Sequence, residues 1–224
     1  MAQGFVHDDL ARACLAQSSD AVPRVMLLGR LCLYGLGAAR LHEELIPIAA
    51  RWIDPKIRKD KLTPYARDAE TRTLDLLDEA IRKPKSNMAD HILKQLQASA
   101  AQDVNELLPQ LQIRGEEYAV IAERKLRDRG DAEAKDMRLI LENQRKHIAT
   151  TVAKHAKDDP SQLRLKFNED EVRQLEANRK YWGKRLTMID QELDSEPKRI
   201  KEVYDVKAKR IEPVGLIYLW PVTG

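Results

Sequence analysis

The chain has 224 residues, a third of them charged and 5% aromatic, with a formal net charge of +3 from 39 basic and 36 acidic side chains. That profile suits a helix-rich soluble protein with a thin core, and the charge is too small to demand nucleic acid as a partner. Cys14 and Cys32 form no CxxC pair and no ligand cluster with the five histidines, which argues against a disulfide scaffold or a zinc site and suits a reducing cytoplasm. Met1-Ala2-Gln3-Gly4 lacks a basic leader, and no apolar run approaches the roughly 18 residues of a spanning helix, so a cytoplasmic chain with no membrane contact is expected.

In chain order, residues 1–22 read as a short amphipathic helix or loose lead-in with Leu10, Cys14 and Leu15 on one side. Val25 to Leu28 is an apolar run between Pro23 and Gly29 and predicts a short strand. Ala38, Leu41, Leu45, Ile48 and Trp52 recur at three and four, predicting a helix that Pro47 kinks and Asp54-Pro55 closes. Thr63-Pro64 opens a second helix through Leu74, Leu77 and Ile81 to Arg82-Lys83-Pro84. Pro84-Lys85-Ser86 then marks a boundary between a small α/β lead-in, 1–84, and a helical region, 85–224.

Beyond it, breaks at Pro109, Gly115, Gly130 and Asp158-Asp159-Pro160 divide the chain into three helices. Their stripes are Met88, Ile92 and Leu96; Leu107, Leu111, Tyr118, Ile121 and Leu126; and, after an Asp131 cap, Met137, Leu141, Ile148 and Val152. Asn168 with Glu171 caps a longer helix whose seam is Val172, Leu175, Trp182, Leu186, Ile189 and Leu193. Ile200, Val203, Tyr204 and Ile211 continue the seam in phase, which favours one kinked helix through Pro197 over a hairpin there. Glu212-Pro213-Val214-Gly215 ends it, and Leu216 to Trp220 reads as a strand buried on both faces, paired with Val25 to Leu28 or with a partner's sheet. The expected fold is mainly α: an elongated antiparallel, coiled-coil-like helical arm with a small α/β lead-in and a short C-terminal β-strand.

Few motifs carry chemistry. Gly35-Leu36-Gly37 lacks the third glycine and the acidic residue of a dinucleotide site and reads as a tight turn. GxxxxGK[ST] occurs nowhere and no acidic pair follows a strand, so nucleotide hydrolysis has no visible machinery. His42-Glu43 has no second histidine at the metalloprotease offset, and His147 and His155 complete no ligand set. Asp8-Asp9, Asp158-Asp159 and Glu169-Asp170-Glu171 are explained by caps and turns. No cofactor or catalytic residue is expected. The densest charge imbalance is Arg51, Lys56, Arg58, Lys59, Lys61 and Arg67, a solvated loop or a phosphate-contacting patch. Arg179, Lys180, Lys184 and Arg185 flank Tyr181 and Trp182, where single-stranded nucleic acid competes with plain packing of Trp182 in the seam. Trp182, Leu186, Ile217, Leu219 and Trp220 are expected to pack in the core or against a partner.

The order of several segments is also familiar. Val25 to His42, Tyr181-Trp182-Gly183-Lys184-Arg185-Leu186, Glu196-Pro197-Lys198-Arg199-Ile200 and the tail Glu212 to Gly224 together resemble the C-terminal region of large SNF2-like helicases, with the closest likeness to the helicase of DISARM antiphage systems. The likeness runs from about Pro23 to Gly224, and the tail is its most specific piece. The lysine-bearing phosphate loop, the acidic Mg²⁺ motif and the arginine motifs of the helicase motor are missing. The resemblance therefore implies a fragment or stand-alone copy of a non-catalytic appendage that contacts DNA, the helicase core or another defence-system subunit. The alternative is a coiled-coil scaffold that touches no nucleic acid.

Overall fold

The computed structural model describes residues 3–7, 10–82, 89–156 and 169–222. Asp8-Asp9, the boundary at Pro84-Lys85-Ser86, Met88, the turn at Asp158-Asp159-Pro160 and the Asn168 cap lie outside the described residues. So do Thr223 and Gly224.

The expected helical arm is not what organises the chain. A five-stranded mixed sheet does, in the order β1-β2-β5-β3-β4. Its strands are β1 (Gln3–His7), β2 (Leu10–Ser18), β3 (Arg24–Tyr34), β4 (Arg40–Arg51) and β5 (Ala208–Pro221). Three helices accompany it: α1 (Arg67–Arg82), α2 (Asp90–Ala156) and α3 (Glu169–Val203).

The apolar run at Val25 continues through Gly29 to Tyr34, because Val25, Met26, Leu27, Leu31 and Leu33 are all buried between neighbours on both sides. Gly29 does not stop the strand. A Cβ there would lie 2.2 Å from Leu111 Cδ1, so glycine is what lets α2 approach the sheet. β5 is central, parallel to β2 and antiparallel to β3, with Val25 opposite Tyr218, Met26 opposite Ile217 and Leu27 opposite Leu216. The internal pairing of Leu216 to Trp220 with Val25 to Leu28 is therefore present, in a strand far longer than expected. Residues 10–18, expected as helix or lead-in, form β2 on the other side of β5.

The expected helix from Ala38 to Trp52 is strand β4. Its spacing of three and four is coincidental: Ile46, Ile48 and Ala50 alternate onto one buried face, while Leu45, which the helical pattern would bury, is 60% exposed. Pro47 fits because β4 is an edge strand, and its carbonyl accepts a hydrogen bond from Arg114 Nη1 at 2.8 Å. Leu36–Ala38 is the turn joining β3 to β4, with Gly37 in the left-handed region at φ 63°.

The helices expected to break at Pro109, Gly115 and Gly130 are one helix. Leu96, Ala100, Val104, Leu107 and Leu111 form a buried stripe at steps of three and four that stays in phase across Pro109. Burial of each large side chain contributes roughly 1.5–3 kcal/mol, enough to outweigh the ~3 kcal/mol that an interior proline costs. Gly115 faces Ile211, whose Cδ1 lies 2.7 Å from where a Cβ would be. Ile211 itself belongs to β5, because the last helix ends at Val203; Pro197 sits inside that helix, as the in-phase seam implied.

The chain divides into two compact units. Unit 1 comprises Met1–Tyr34, Ala38–Glu123 and Val206–Gly224, and so contains the whole sheet, α1 and the first part of α2. Its core includes a cluster of Ala16, Leu76 and Leu219, with Leu77, Ala80 and Ile217 against it. Unit 2 comprises Gly35–Gly37 and Arg124–Asp205. There Leu141, Ile148 and Ile189 form the core, covered by Met137, Val152, Trp182, Leu186 and Leu193.

Candidate functional site

Trp52, buried, directly follows β4, and the loop after it carries most of the basic cluster. Asp54 shapes its start: the Lys56 N–H donates to Asp54 Oδ1 at 2.9 Å, and the Ile57 and Arg58 N–H groups donate to the Asp54 carbonyl at 3.0 Å. Arg58 then points inward. Its Nη1 donates to Asp103 Oδ1 at 2.8 Å and its Nη2 to Glu106 Oε1 at 2.7 Å, and only 4% of its side chain is exposed. The Trp52 indole N–H and the Tyr218 hydroxyl donate to Asp103 Oδ2 at 2.9 and 2.7 Å, and the Leu62 N–H donates to Glu106 Oε2 at 2.8 Å. Two acids of α2 thus fasten both ends of the loop and the central strand.

Asp103 is fully buried. Burial raises its pKa above the ordinary carboxyl value, and the donors Tyr218, Arg58 and Trp52 oppose that rise without cancelling it. Burial also pushes Glu106 upward, but the Leu62 N–H, Gln102 and Arg58 outweigh it and leave Glu106 below its usual range. Burial, followed by the neighbouring Asp103 charge, raises the Tyr218 phenol. These shifts come from burial and from hydrogen bonds inside the network, in which Arg58 Nε has no partner among the described residues.

The network divides the cluster. Arg58 belongs to the interior and is unavailable to a phosphate. Arg51, Lys56, Lys59 and Lys61 are exposed, and among the described residues the three lysines have no carboxylate within ion-pair distance. Arg67 opens α1, exposed, 3.9 Å from Glu117 and with its guanidinium 5.7 Å from the Tyr118 ring centre. What remains is a short loop bearing three ammonium groups, pinned from beneath, that can hold an anion by charge. Among the described residues no group of three or more His, Cys, Asp or Glu is placed to hold a metal ion, and no helix is long and apolar enough to cross a membrane.

No family model, curated protein or solved structure matches the chain.

The other expected contact residues separate cleanly. Leu219 is fully buried and Ile217 packs on the Ala16–Leu76–Leu219 cluster. Trp220 stands edge-on to Trp52 with ring centres 5.2 Å apart. All three hold unit 1 together, so deleting Leu216 to Gly224 would remove the buried end of the central strand rather than release a docking tail. Trp182 and Leu186 pack on the core of unit 2. Tyr181 does not: it is 60% exposed, with its ring centre 5.0 Å from that of Trp182.

Sequence reasoning did not find Asp103, Glu106 or the second buried ion pair, Glu70 with Arg114, which links α1 to α2. A signal existed. Asp103 and Arg114 fall on the apolar stripe of α2, and a charge at a stripe position requires a buried partner.

Proposed function

We propose that the chain is a non-catalytic accessory region of an SNF2-like DNA helicase, of the kind its sequence resembles in DISARM antiphage systems, and that it contacts DNA or the helicase core. One observation carries this. Two of the family-like stretches, Val25 to His42 and Glu212 to Gly224, are remote in sequence yet contribute neighbouring strands, with Met26 opposite Ile217 and Arg30 both opposite Glu212 and ion-paired to it. Separate stretches of likeness that meet as one folded body are what a shared appendage would give. In this role the chain works in the cytoplasm, a partner supplies ATP hydrolysis, and Lys56, Lys59 and Lys61 meet the DNA backbone.

A protein-binding module that touches no nucleic acid is the second reading. It is favoured by Ile113, Val120 and Ile121, all exposed on α2.

Anisotropy of labelled duplex DNA across a salt series, with co-purification of an SNF2-like motor from the native host, tests the proposal. Each duplex phosphate contact contributes about −0.9 to the slope of log K against log salt, so replacing the three lysines with alanine should flatten the slope by up to about 3. Unchanged binding in that variant, with no motor recovered, would leave the protein-binding module.

A further inference from the structure

The sequence placed Tyr181 and Trp182 side by side among four cations, and the structure assigns them different work. Trp182 packs, half-buried, against the core of unit 2, whereas Tyr181 is 60% exposed and its ring stands against the indole. On an α-helix Tyr181, Lys184 and Met188 share a stripe, with Lys180 beside it; all four are exposed, Met188 by 52%. From Arg173 to Ile189 the helix carries five basic residues against Glu176 alone. Of these Arg173 lies 3.9 Å from both Glu169 and Asp170, Arg185 is held by Glu192 and Arg179 is half-buried, which leaves Lys180 and Lys184 as the exposed cations of the stripe. The acids Asp190 and Asp194 are already paired, with Arg145 and Lys198.

Gly183 adds an independent observation. Glycine weakens a helix relative to alanine, and a Cβ at this position would meet nothing within 4 Å, so packing does not require it. The missing side chain bares helix backbone next to Lys184 and one turn from Lys180. An exposed ring steadied by a half-buried indole, two cations and a bare stretch of backbone form a stacking platform beside a track for phosphates.

We propose that this face of α3 binds single-stranded nucleic acid, with a base stacked on Tyr181 and the phosphodiester chain passing Lys180 and Lys184. The proposal uses a different surface from the lysine loop and does not rest on the helicase reading.

The test uses the full chain and a fluorescein-labelled oligothymidylate of about 15 nucleotides, within the range such sites cover, read by anisotropy over a salt series. Tyr181→Ala should weaken binding about 5-fold or more, and Tyr181→Phe should stay within about 2-fold of the parent. Lys180→Gln with Lys184→Gln should flatten the salt slope by about 1.4. Circular dichroism melts of each variant should match the parent, because the side chains are exposed. Failure of the parent to bind, or Tyr181→Ala binding like the parent, overturns the proposal. Loss of oligonucleotide binding only when Lys56, Lys59 and Lys61 are replaced also overturns it, while leaving the loop's contact with DNA intact.

Discussion

Replacing Asp103 with asparagine should destabilise unit 1 by about 3 kcal/mol, the lower end of what breaking a buried ion pair costs. The carboxylate accepts from Arg58, Trp52 and Tyr218 at once, with no exposure to water. An asparagine offers one oxygen and an amide that can only donate, so at least one buried donor faces another donor. Removing one member of a buried ion pair costs about 3–5 kcal/mol, and Arg58 keeps Glu106 and the Ile53 carbonyl, which places the expectation at the lower end. Against a total stability of about 5–15 kcal/mol the loss is severe but measurable. Urea unfolding followed by tryptophan fluorescence in a Trp182→Phe background reads it, since Trp52 and Trp220 both belong to unit 1. Tyr218→Phe alone should cost about 1.5 kcal/mol, and less in the Asp103→Asn background, because the two changes share one bond. A loss under about 1 kcal/mol for Asp103→Asn, or strict additivity of the pair, would refute the claim that this network fastens the loop.

The same carboxyl gives a pH prediction. Its folded pKa is raised, so the folded state binds the proton more tightly, and this contribution to stability grows as pH falls from neutral through the folded value toward 3.8. The advantage of the parent over Asp103→Asn should therefore widen on acidification, and urea titrations at several pH values would contradict this by showing it shrink. Glycine replacements should split by sign: Gly29→Ala drives a methyl into Leu111 and should cost about 1–3 kcal/mol, whereas Gly183→Ala meets open space and should add up to about 1 kcal/mol, both read from urea midpoints. Arg58→Ala should destabilise unit 1 by about 3–5 kcal/mol while Lys59→Ala stays within about 0.5 kcal/mol, a contrast that thermal melts would expose. The purified chain should turn over no ATP above background, since its sequence holds no phosphate-binding lysine loop; activity that follows the protein through successive columns would overturn this.

The fold was legible only where one periodicity had no competitor. The unbroken apolar runs at Val25 and Leu216 marked strands, and their mutual pairing follows from the need to bury both faces. A helix at Leu74, Leu77 and Ile81 was expected and is there as α1, but it starts at Arg67 rather than at Thr63-Pro64 and buries Thr73 and Leu76 while Leu74 and Ile81 stay exposed. Failure came where two periods coincided or where punctuation was overruled. Ala38, Leu41, Leu45 and Ile48 satisfy a helix on paper, but Ile46, Ile48 and Ala50 satisfy a strand, and only the sheet decides between them. Pro109, Gly115 and Gly130 are breakers in isolation, yet each lies within a helix whose stripe remains in phase. The basic loop was visible as a charge cluster, but the inward turn of Arg58 was not. Its partners Asp103 and Glu106 lie 45 and 48 residues away, and charge spacing along a loop carries no sign of such a pairing.

The strand that completes the sheet also sets a timetable for making it. β5 lies between β2 and β3, yet its first residue, Ala208, is synthesised long after Arg24 opens β3. At about 5–20 residues per second the ribosome needs roughly 10–40 s to cover that interval. Throughout it, β2 and β3 lack the neighbour that joins them, and each offers an unsatisfied edge to any nascent chain or chaperone close by. Helices form within microseconds and can mature as they emerge, whereas this sheet must wait for its last strand. A ribosome stalled before Ala208 would therefore carry a sticky, protease-sensitive polypeptide, whereas a chain released with β5 in place would be protected.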